Sequence, residues 1–412
     1  MKRFLDAPRN QPSAPRMPKT TDIAPEDIAP GKPLHGLTIV ELGHSVAAPY
    51  AGLILVELGA RVIKVENPQG GDYARGWGPP FWGDVATSFL CLNRGKEGIT
   101  VDYTRADDVR ALRTLILEQA DAVIQNLRPG ILERFDLTPA SLRAQRPDLI
   151  WCDIGAFGAH GPLSGKSGYD PLAQAATGIM SVTGEGGERP PVRVGVSLID
   201  MGSGMWTVIG LLASLLGRQS SAQGAHVAAS LYETGLAWMT IPLGAFEAAR
   251  EVRRPYGSGI AEIVPYQAFR AADGWVMIAA GNDNLFRKLC QALRLAELAE
   301  SPDFSTNPAR VRNRGRLLPI IDAAVTRCTV DGLCAKLDAA GVPNSPLLAV
   351  DQVACHPQTE AVGMLTACDD GVRLAGIPLT FDGMRPRSRV RAPKLGEHNA
   401  RWLEKAKDES IA

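Results

Sequence analysis

The stretch from Gly36 to Glu66 constrains this chain more than any other. "LTIVEL" is short and apolar, "APYAGLILVELGA" carries Pro49 at a helix-opening position and stops at Gly59, and "RVIKVE" is a second short strand. Two apolar strands joined through a helix pair in parallel by a crossover, and a parallel sheet needs both faces covered. The alternation continues, with "DDVRALRTLILEQA" predicting a helix, "DAVIQNL" a strand, "LERFDLTPASLRAQR" a helix with its connection, and "LIWCDIG" a strand. The fold class that follows is α/β, an open doubly wound (Rossmann-like) large domain whose ligands sit at the C-terminal ends of its strands.

A chain of 412 residues is longer than one core usually supports, so a second domain is expected. "GRQSSAQGA", 217–225, reads as a polar linker, and the pattern after it changes. A long helix near 230–250 precedes "YQAFRAADGWVMIAAG", where Asp273-Gly274 between two β-rich runs signals a hairpin. Helices around 283–297 and 315–339 complete a smaller α+β domain. The expected organisation is a flexible tail over 1–33, a large domain over 34–225, a small domain over 226–340, and a return to the large domain over 341–412.

Lys plus Arg and Asp plus Glu both number 44, so no general field favours nucleic acid or an anionic membrane, and neither is expected as a partner. Seven cysteines without CxxC spacing suggest neither a zinc site nor a disulfide framework, and a cytoplasmic location fits best. The N-terminal segment has no signal-peptide core, and the longest apolar run, 205–217, is shorter than the ~20 residues that span a bilayer. "AHGPLSGKSGYDP", 159–171, imitates a phosphate loop, yet His160 occupies the place of its first glycine, and Lys166-Ser167 run into Gly168, Tyr169, Asp170 and Pro171, where no helix is expected to start cleanly.

"VRVGVSLIDMGSGMWTVIGLLASLLG", 192–217, places Asp200 between an apolar run and a glycine-serine-glycine stretch that precedes an apolar helix. Two readings stand side by side here. Asp200 is a helix N-cap, the usual role of such an aspartate. Or it is a nucleophile, with the glycines admitting a substrate carbonyl and leaving N–H groups free for an oxyanion.

Seven blocks in order, "GLTIVELGHSVAAPYAGLILVELGARVIKVENPQGGD", "LNRGKEGITVD", "QNLRPG", "GYDPLAQAATGIMSVTGE", "PPVRVGVSLIDMGSGM", "VPYQAF" and "LGEHN", resemble the signature blocks of the class III (CaiB/BaiF) CoA transferases over roughly 34–403. The resemblance implies Asp200 as nucleophile and Asp170 as a second carboxylate. It implies CoA contacts from Val46, Ala47, Asn67, Leu92, Asn93, Arg94, Lys96, Asn126, Leu127, Arg128, Arg134, Lys166 and Tyr169. Gly257, Ser258 and Gly259 would form a substrate flap, with Arg253 and Arg254 beside it as candidates for a substrate's distal carboxylate. Local arginines and lysines make sense in a neutral protein that must meet the phosphates of CoA.

In the mechanism that the family implies, the carboxylate attacks an acyl-CoA, and a mixed anhydride and then an aspartyl-CoA thioester form. CoA is a substrate, and neither a permanently bound cofactor nor a metal is needed. The family's members are intertwined homodimers, so the expected partners are acyl-CoA, a carboxylic acid and a second copy of the chain. Its formyl-CoA transferases carry glutamine where this chain has Val46 and arginine where it has Asn67, which argues against formyl and oxalate substrates; "VPYQAF" and "GNDNLF" are closest to members using dicarboxylates such as succinate. The alternative on this fold, an α-methylacyl-CoA racemase, has a histidine base where this chain has Tyr169, and a phenol is a poor base at neutral pH.

Overall fold

The structure, a computed structural model, describes residues 31–404. The expected tail lies outside the described residues except for its last three positions. The chain divides into two compact units. The first takes the described chain up to Tyr169, Leu198–Thr234 and the described chain from Gly363; the second takes Asp170–Ser197 and Gly235–Val362.

The first unit is built on six parallel strands, β1 (Thr38–Glu41), β2 (Arg61–Glu66), β3 (Glu97–Thr100), β4 (Ala122–Gln125), β5 (Ile150–Gly155) and β6 (His226–Ser230), in the order β3-β2-β1-β4-β5-β6. Register runs Val40↔Ile63 between β1 and β2 and Val40↔Val123 between β1 and β4. β1 is buried at all four positions, as a strand covered on both faces must be. The helices of the crossovers are α1 (Ala47–Glu57), α2 (Thr87–Asn93), α3 (Ala106–Gln119) and α4 (Pro139–Gln145). α1 ends as expected at Gly59, whose φ of +101° suits only glycine; a β-carbon there would stand 2.6 Å from Lys32 Cβ. Val40, Ile63, Ile99, Leu112, Leu115, Val123 and Trp151 form the core on one face.

Two expectations are corrected here. The segment 217–225 is no linker, because one helix runs Leu198–Ser221 and β6 follows, paired with β5 at Trp151↔His226. Its small residues serve packing: a β-carbon on Gly224 would stand 2.2 Å from the Leu149 carbonyl oxygen. The large unit therefore extends past 225 and resumes at Gly363 rather than 341, while Asp170–Ser197 leaves it for the second unit. The C-terminal block does return to the sheet: His398 N donates to Gly98 O and Thr100 N to Asn399 Oδ1, which covers the β3 edge.

In the second unit, Tyr266–Arg270 and Trp275–Ala279 form the expected hairpin, closing at Arg270↔Trp275, and Asn344–Pro346 adds a third strand. Phe269, Ile278, Phe286, Leu289, Leu317, Ile321 and Leu337 make its core. The single helix expected over 230–250 is two, Leu231–Trp238 and Thr240–Ala249, and the other long helices are likewise broken, into Asp283–Ala292 with Ala296–Glu300, and Arg314–Val325 with Val330–Ala340. Leu198–Ser221 is long and apolar enough, by length and composition, to cross a membrane; here it packs on α1, β5 and β6.

Candidate functional site

In the order β3-β2-β1-β4-β5-β6 the winding direction changes between β1 and β4. The crevice at the C-terminal ends of the strands at such a switch point is the general ligand position of open α/β sheets. Two segments meet at it, the turn Leu42–Val46 leaving β1 and the residues after β4. Asn126 Oδ1 accepts from His44 N, and Asn126 Nδ2 donates to His44 O, both at 2.9 Å. Gly43 must be glycine, since a β-carbon would stand 2.2 Å from Ala48 Cβ and 3.1 Å from Asn126 Oδ1. Ser45 has φ of +69°, a left-handed conformation that a serine holds only when its surroundings impose it.

Those surroundings are a cluster of six charges, five of them buried and Arg75 partly so. Lys64 Nζ donates to Glu41 Oε1 at 3.0 Å and to Gly43 O at 2.9 Å, and stands 2.9 Å from Asp72 Oδ2 as an ion pair without hydrogen-bond alignment. Asp72 Oδ1 accepts from Ser45 N and Ala74 N, both at 2.9 Å. Glu66 holds Asp72 N and the forked guanidinium of Arg75. Lys96 Nζ donates to Glu41 Oε2 at 2.7 Å, Pro49 O at 2.8 Å and Asn93 Oδ1 at 2.9 Å. With Glu41, Glu66 and Asp72 against Lys64, Lys96 and Arg75, the formal charges cancel, as burial requires.

Burial disfavours the Lys64 charge, but Glu41, Asp72 and Glu66 outweigh it and push its pKa up. Burial lowers Lys96 to about 8, because Glu41 is its main support and Lys64 opposes it. Burial likewise works against the Asp72 carboxylate, yet Lys64 and the N–H groups of Ser45 and Ala74 hold its pKa below the usual range. For His44, burial dominates and lowers its pKa, with Asp72 opposing and Lys64 and Arg128 adding to the effect, so the imidazole is neutral at pH 7. Its Nδ1 lies 2.9 Å from Ser45 Oγ, and its ring meets Tyr73 edge-on at 5.3 Å.

Asp200 is the third residue of Leu198–Ser221 and is partly exposed. A carboxylate in the first turn faces the positive end of the helix dipole, roughly half a charge. Gly202, Ser203 and Gly204 are helical rather than a turn, which corrects the expectation that their N–H groups stay free for an oxyanion: beyond the first turn such groups bond within the helix. Gly204 is glycine for another reason, since a β-carbon there would stand 2.7 Å from Ala47 O and 3.1 Å from Ala51 N. The first turn of α1, whose N-cap Val46 offers no capping side chain, therefore lies against the early turns of the Asp200 helix. Ser203, one turn from Asp200, is locked by Thr234 Oγ1 at 2.8 Å.

The expected CoA contacts divide. Val46, Ala47, Asn126, Leu127 and Arg128 gather at the crevice, Asn67 follows β2, and Asn67, Arg128 and Arg134 are exposed. Leu92 is half-buried in α2. Asn93, Arg94 and Lys96 are corrected, for they are buried and their polar atoms are committed internally. Arg94 Nε donates to Glu57 at 2.9 Å and its Nη2 to Ala375 O at 2.6 Å, while Asn93 Nδ2 donates to Phe89 O at 3.0 Å. Lys166 is exposed beside the Phe157 ring, and Tyr169 is 52% exposed.

In the second unit a helix does open after the glycine-lysine-serine run, at Asp170, correcting the expectation of none; it spans Asp170–Ala176, and Asp170 Oδ1 accepts from Gln174 at 2.6 Å. The flap residues are less available than expected: Gly257 N donates to Gly184 O, Gly259 N to Tyr256 O, and Ser258 Oγ accepts from Ala268 N. Arg253 is paired with Glu262 at 2.7 Å, whereas Arg254 is exposed.

The clamp around Ser45 escaped sequence reasoning, although a lysine and a glutamate inside "RVIKVE", a strand read as buried on both faces, were its signal. An open depression lined by Pro139, Arg143, Pro147, Gln223 and His226 lies where β5 and β6 begin, and holds none of the expected site residues.

The fold is that of an α/β protein with a topological switch point, where sheets of this kind take their ligands, and with a carboxylate, Asp200, in the first turn of a helix packed on α1. Residues 34–399 match the model of CoA-transferase family III, and the chain belongs to that family, as a class III CoA transferase. It is 32% identical over 381 residues to a succinate–glutarate CoA-transferase of Agrobacterium fabrum, covering 90% of this chain and 95% of that one. It is 34% identical over 386 residues to an acetyl-CoA:oxalate CoA-transferase of Acetobacter aceti, covering 93% and 97%. A crystal structure of a CaiB/BaiF family protein from Brucella suis superposes with a TM-score of 0.82 at 36% identity, covering 91% and 100%.

Proposed function

We propose that this transferase moves CoA from an acyl-CoA donor to a dicarboxylic acid such as succinate, with Asp200 as nucleophile. The observation that carries the reading is the place of Asp200, on the first turn of a long helix packed against the start of α1 at the C-terminal edge of the sheet. An Asp200 oxygen attacks the thioester carbonyl, the C–S bond breaks, and an aspartyl anhydride and CoA thiolate result. The thiolate attacks the aspartyl carbonyl, releasing the donor acid and leaving an aspartyl-CoA thioester; the acceptor carboxylate enters and the steps reverse. Arg128 at the crevice, with Lys166 and Arg134, supplies contacts for the CoA phosphates, while Asn126 holds the turn at His44.

Relatives named for succinate and glutarate and for oxalate support a dicarboxylate acceptor, and they return oxalate to the panel despite Val46 and Asn67. The racemase alternative is not favoured, because Tyr169 stands where that chemistry needs a histidine. An interlocked homodimer in the cytoplasm completes the reading; Met205, Trp206 and Ile209, exposed on the Asp200 helix, suit a surface covered by a second copy.

The test is CoA exchange by the purified protein, offering succinyl-CoA, acetyl-CoA and oxalyl-CoA against a panel of free acids. Asp200→Ala, and nearly as fully Asp200→Asn, should abolish transfer with the fold intact, since an amide cannot form the anhydride. Transfer at the wild-type rate by the alanine variant would overturn the mechanism.

A further inference from the structure

Three side chains of the buried cluster hold main-chain atoms of the turn that leaves β1 or of the helix after it: Lys64 on Gly43 O, Asp72 on Ser45 N, and Lys96 on Pro49 O. The Asp72 contact stands apart, because it lands on the one residue of the turn with a left-handed backbone. A serine relaxes from that conformation unless something holds it. Asp72 is itself immobilised by Ala74 N, by Glu66 on its own N–H, and by Lys64.

We propose that Asp72 is a positioning residue for CoA-thioester binding, acting through the Ser45 amide to keep the turn and the α1 start in their ligand-binding form. Asp72 is 3% exposed, so its action on a ligand runs through the backbone that it holds. The inference rests on the reading that the switch-point crevice binds the CoA thioester. Its physical content is preorganisation: a turn already held in its bound conformation loses less freedom when the ligand arrives. Release of Ser45 therefore weakens binding of the thioester without slowing the chemistry at Asp200.

Two substitutions separate this role from general support of the fold. Asp72→Asn keeps an oxygen that reaches both Ser45 N and Ala74 N. Asp72→Ser keeps a local cap for Ala74 N, two residues on, and is too short to reach Ser45. Both remove the charge opposite Lys64, and the asparagine in addition turns its NH2 toward that ammonium, so tighter binding by the asparagine variant reports the Ser45 contact. The asparagine variant should keep the KM for acyl-CoA within about threefold of wild type. The serine variant should raise it about tenfold or more, with kcat within about threefold. Residue-resolved hydrogen exchange of the Ser45 amide should quicken at least about tenfold in the serine variant only.

Equal KM values in the two variants would overturn the proposal, as would a raised KM with the Ser45 amide still protected as in wild type. If the serine variant does not fold, the wild type decides: a Ser45 amide exchanging as fast as an exposed loop amide rules the clamp out. Calorimetry with succinyl-CoA on the wild type separates the two readings. Absence of binding sinks the CoA assignment of the crevice, whereas unchanged amide exchange in the serine variant sinks the clamp alone.

Discussion

Gly204 lies so close to Ala47 that a β-carbon on it would stand 2.7 Å from the Ala47 carbonyl oxygen, which joins the helix of Asp200 to the start of α1 at backbone distance. The obstructing atom belongs to the main chain, so a side chain at 204 can be accommodated only if one helix moves. Gly204→Ala should therefore lower stability by about 1–3 kcal/mol, as overpacking does, and reduce CoA transfer more than that loss explains. Denaturant unfolding checks the first part and kcat/KM of the folded fraction the second; a fully active, equally stable variant would contradict the packing.

Lys96 and Arg128 were both expected to meet CoA, and the structure separates them. Lys96→Met leaves Glu41 and Asn93 short of a donor inside the protein and should cost about 3 kcal/mol of stability. Arg128→Ala changes an exposed side chain at the crevice, so it should leave stability within about 0.5 kcal/mol and raise the KM for acyl-CoA instead. Unfolding curves and initial rates on the two variants distinguish the roles, and a stable Lys96→Met enzyme with a raised KM would restore Lys96 as a contact.

The lowered pKa of Lys96 gives a signed pH dependence. Its native value is about 8 against 10.5 for an ordinary lysine, so between those values the unfolded chain holds a proton that the native protein has released. Stability rises with pH wherever the unfolded state binds more protons. The stability of wild type minus that of Lys96→Met should accordingly rise from pH 8 to pH 10 and be flat below about 7. Lys64, shifted upward, contributes in the opposite sense only above the ordinary lysine range. Urea unfolding at half-unit pH steps measures the difference, and a fall across the window would reverse the sign.

A dicarboxylate in a thioester keeps one free carboxylate, which must meet a cation or donors if it is buried. Arg253 is engaged with Glu262, and the N–H groups of Gly257 and Gly259 are taken, so exposed Arg254 is the better candidate. Arg254→Ala should raise the KM for succinate with little change in kcat, and Arg253→Ala should instead cost up to about 1 kcal/mol of stability, as a partly exposed pair does. Equal turnover of butyrate and succinate by the wild type would show that no distal-carboxylate site exists.

What the sequence by itself determined is what repeats locally. The strand–helix–strand pattern from 36 to 66, the helix stop at Gly59 and the hairpin at Asp273-Gly274 follow from apolar periodicity and backbone preference over a few neighbours, and each stands in the structure. The seven signature blocks carried the family in the same way. Tertiary structure alone decided which charges turn inward. Nothing adjacent to Lys96 tells it from Arg128, since its partners Glu41 and Pro49 lie 55 and 47 residues away. Gly204 reads locally as part of a turn, yet it lies inside a helix and is glycine because the approach of α1 excludes a side chain. Likewise "GRQSSAQGA" has a linker's composition, yet its last glycine is set by contact with Leu149. Contacts of that range depend on how the sheet is wound, which no short window of sequence records.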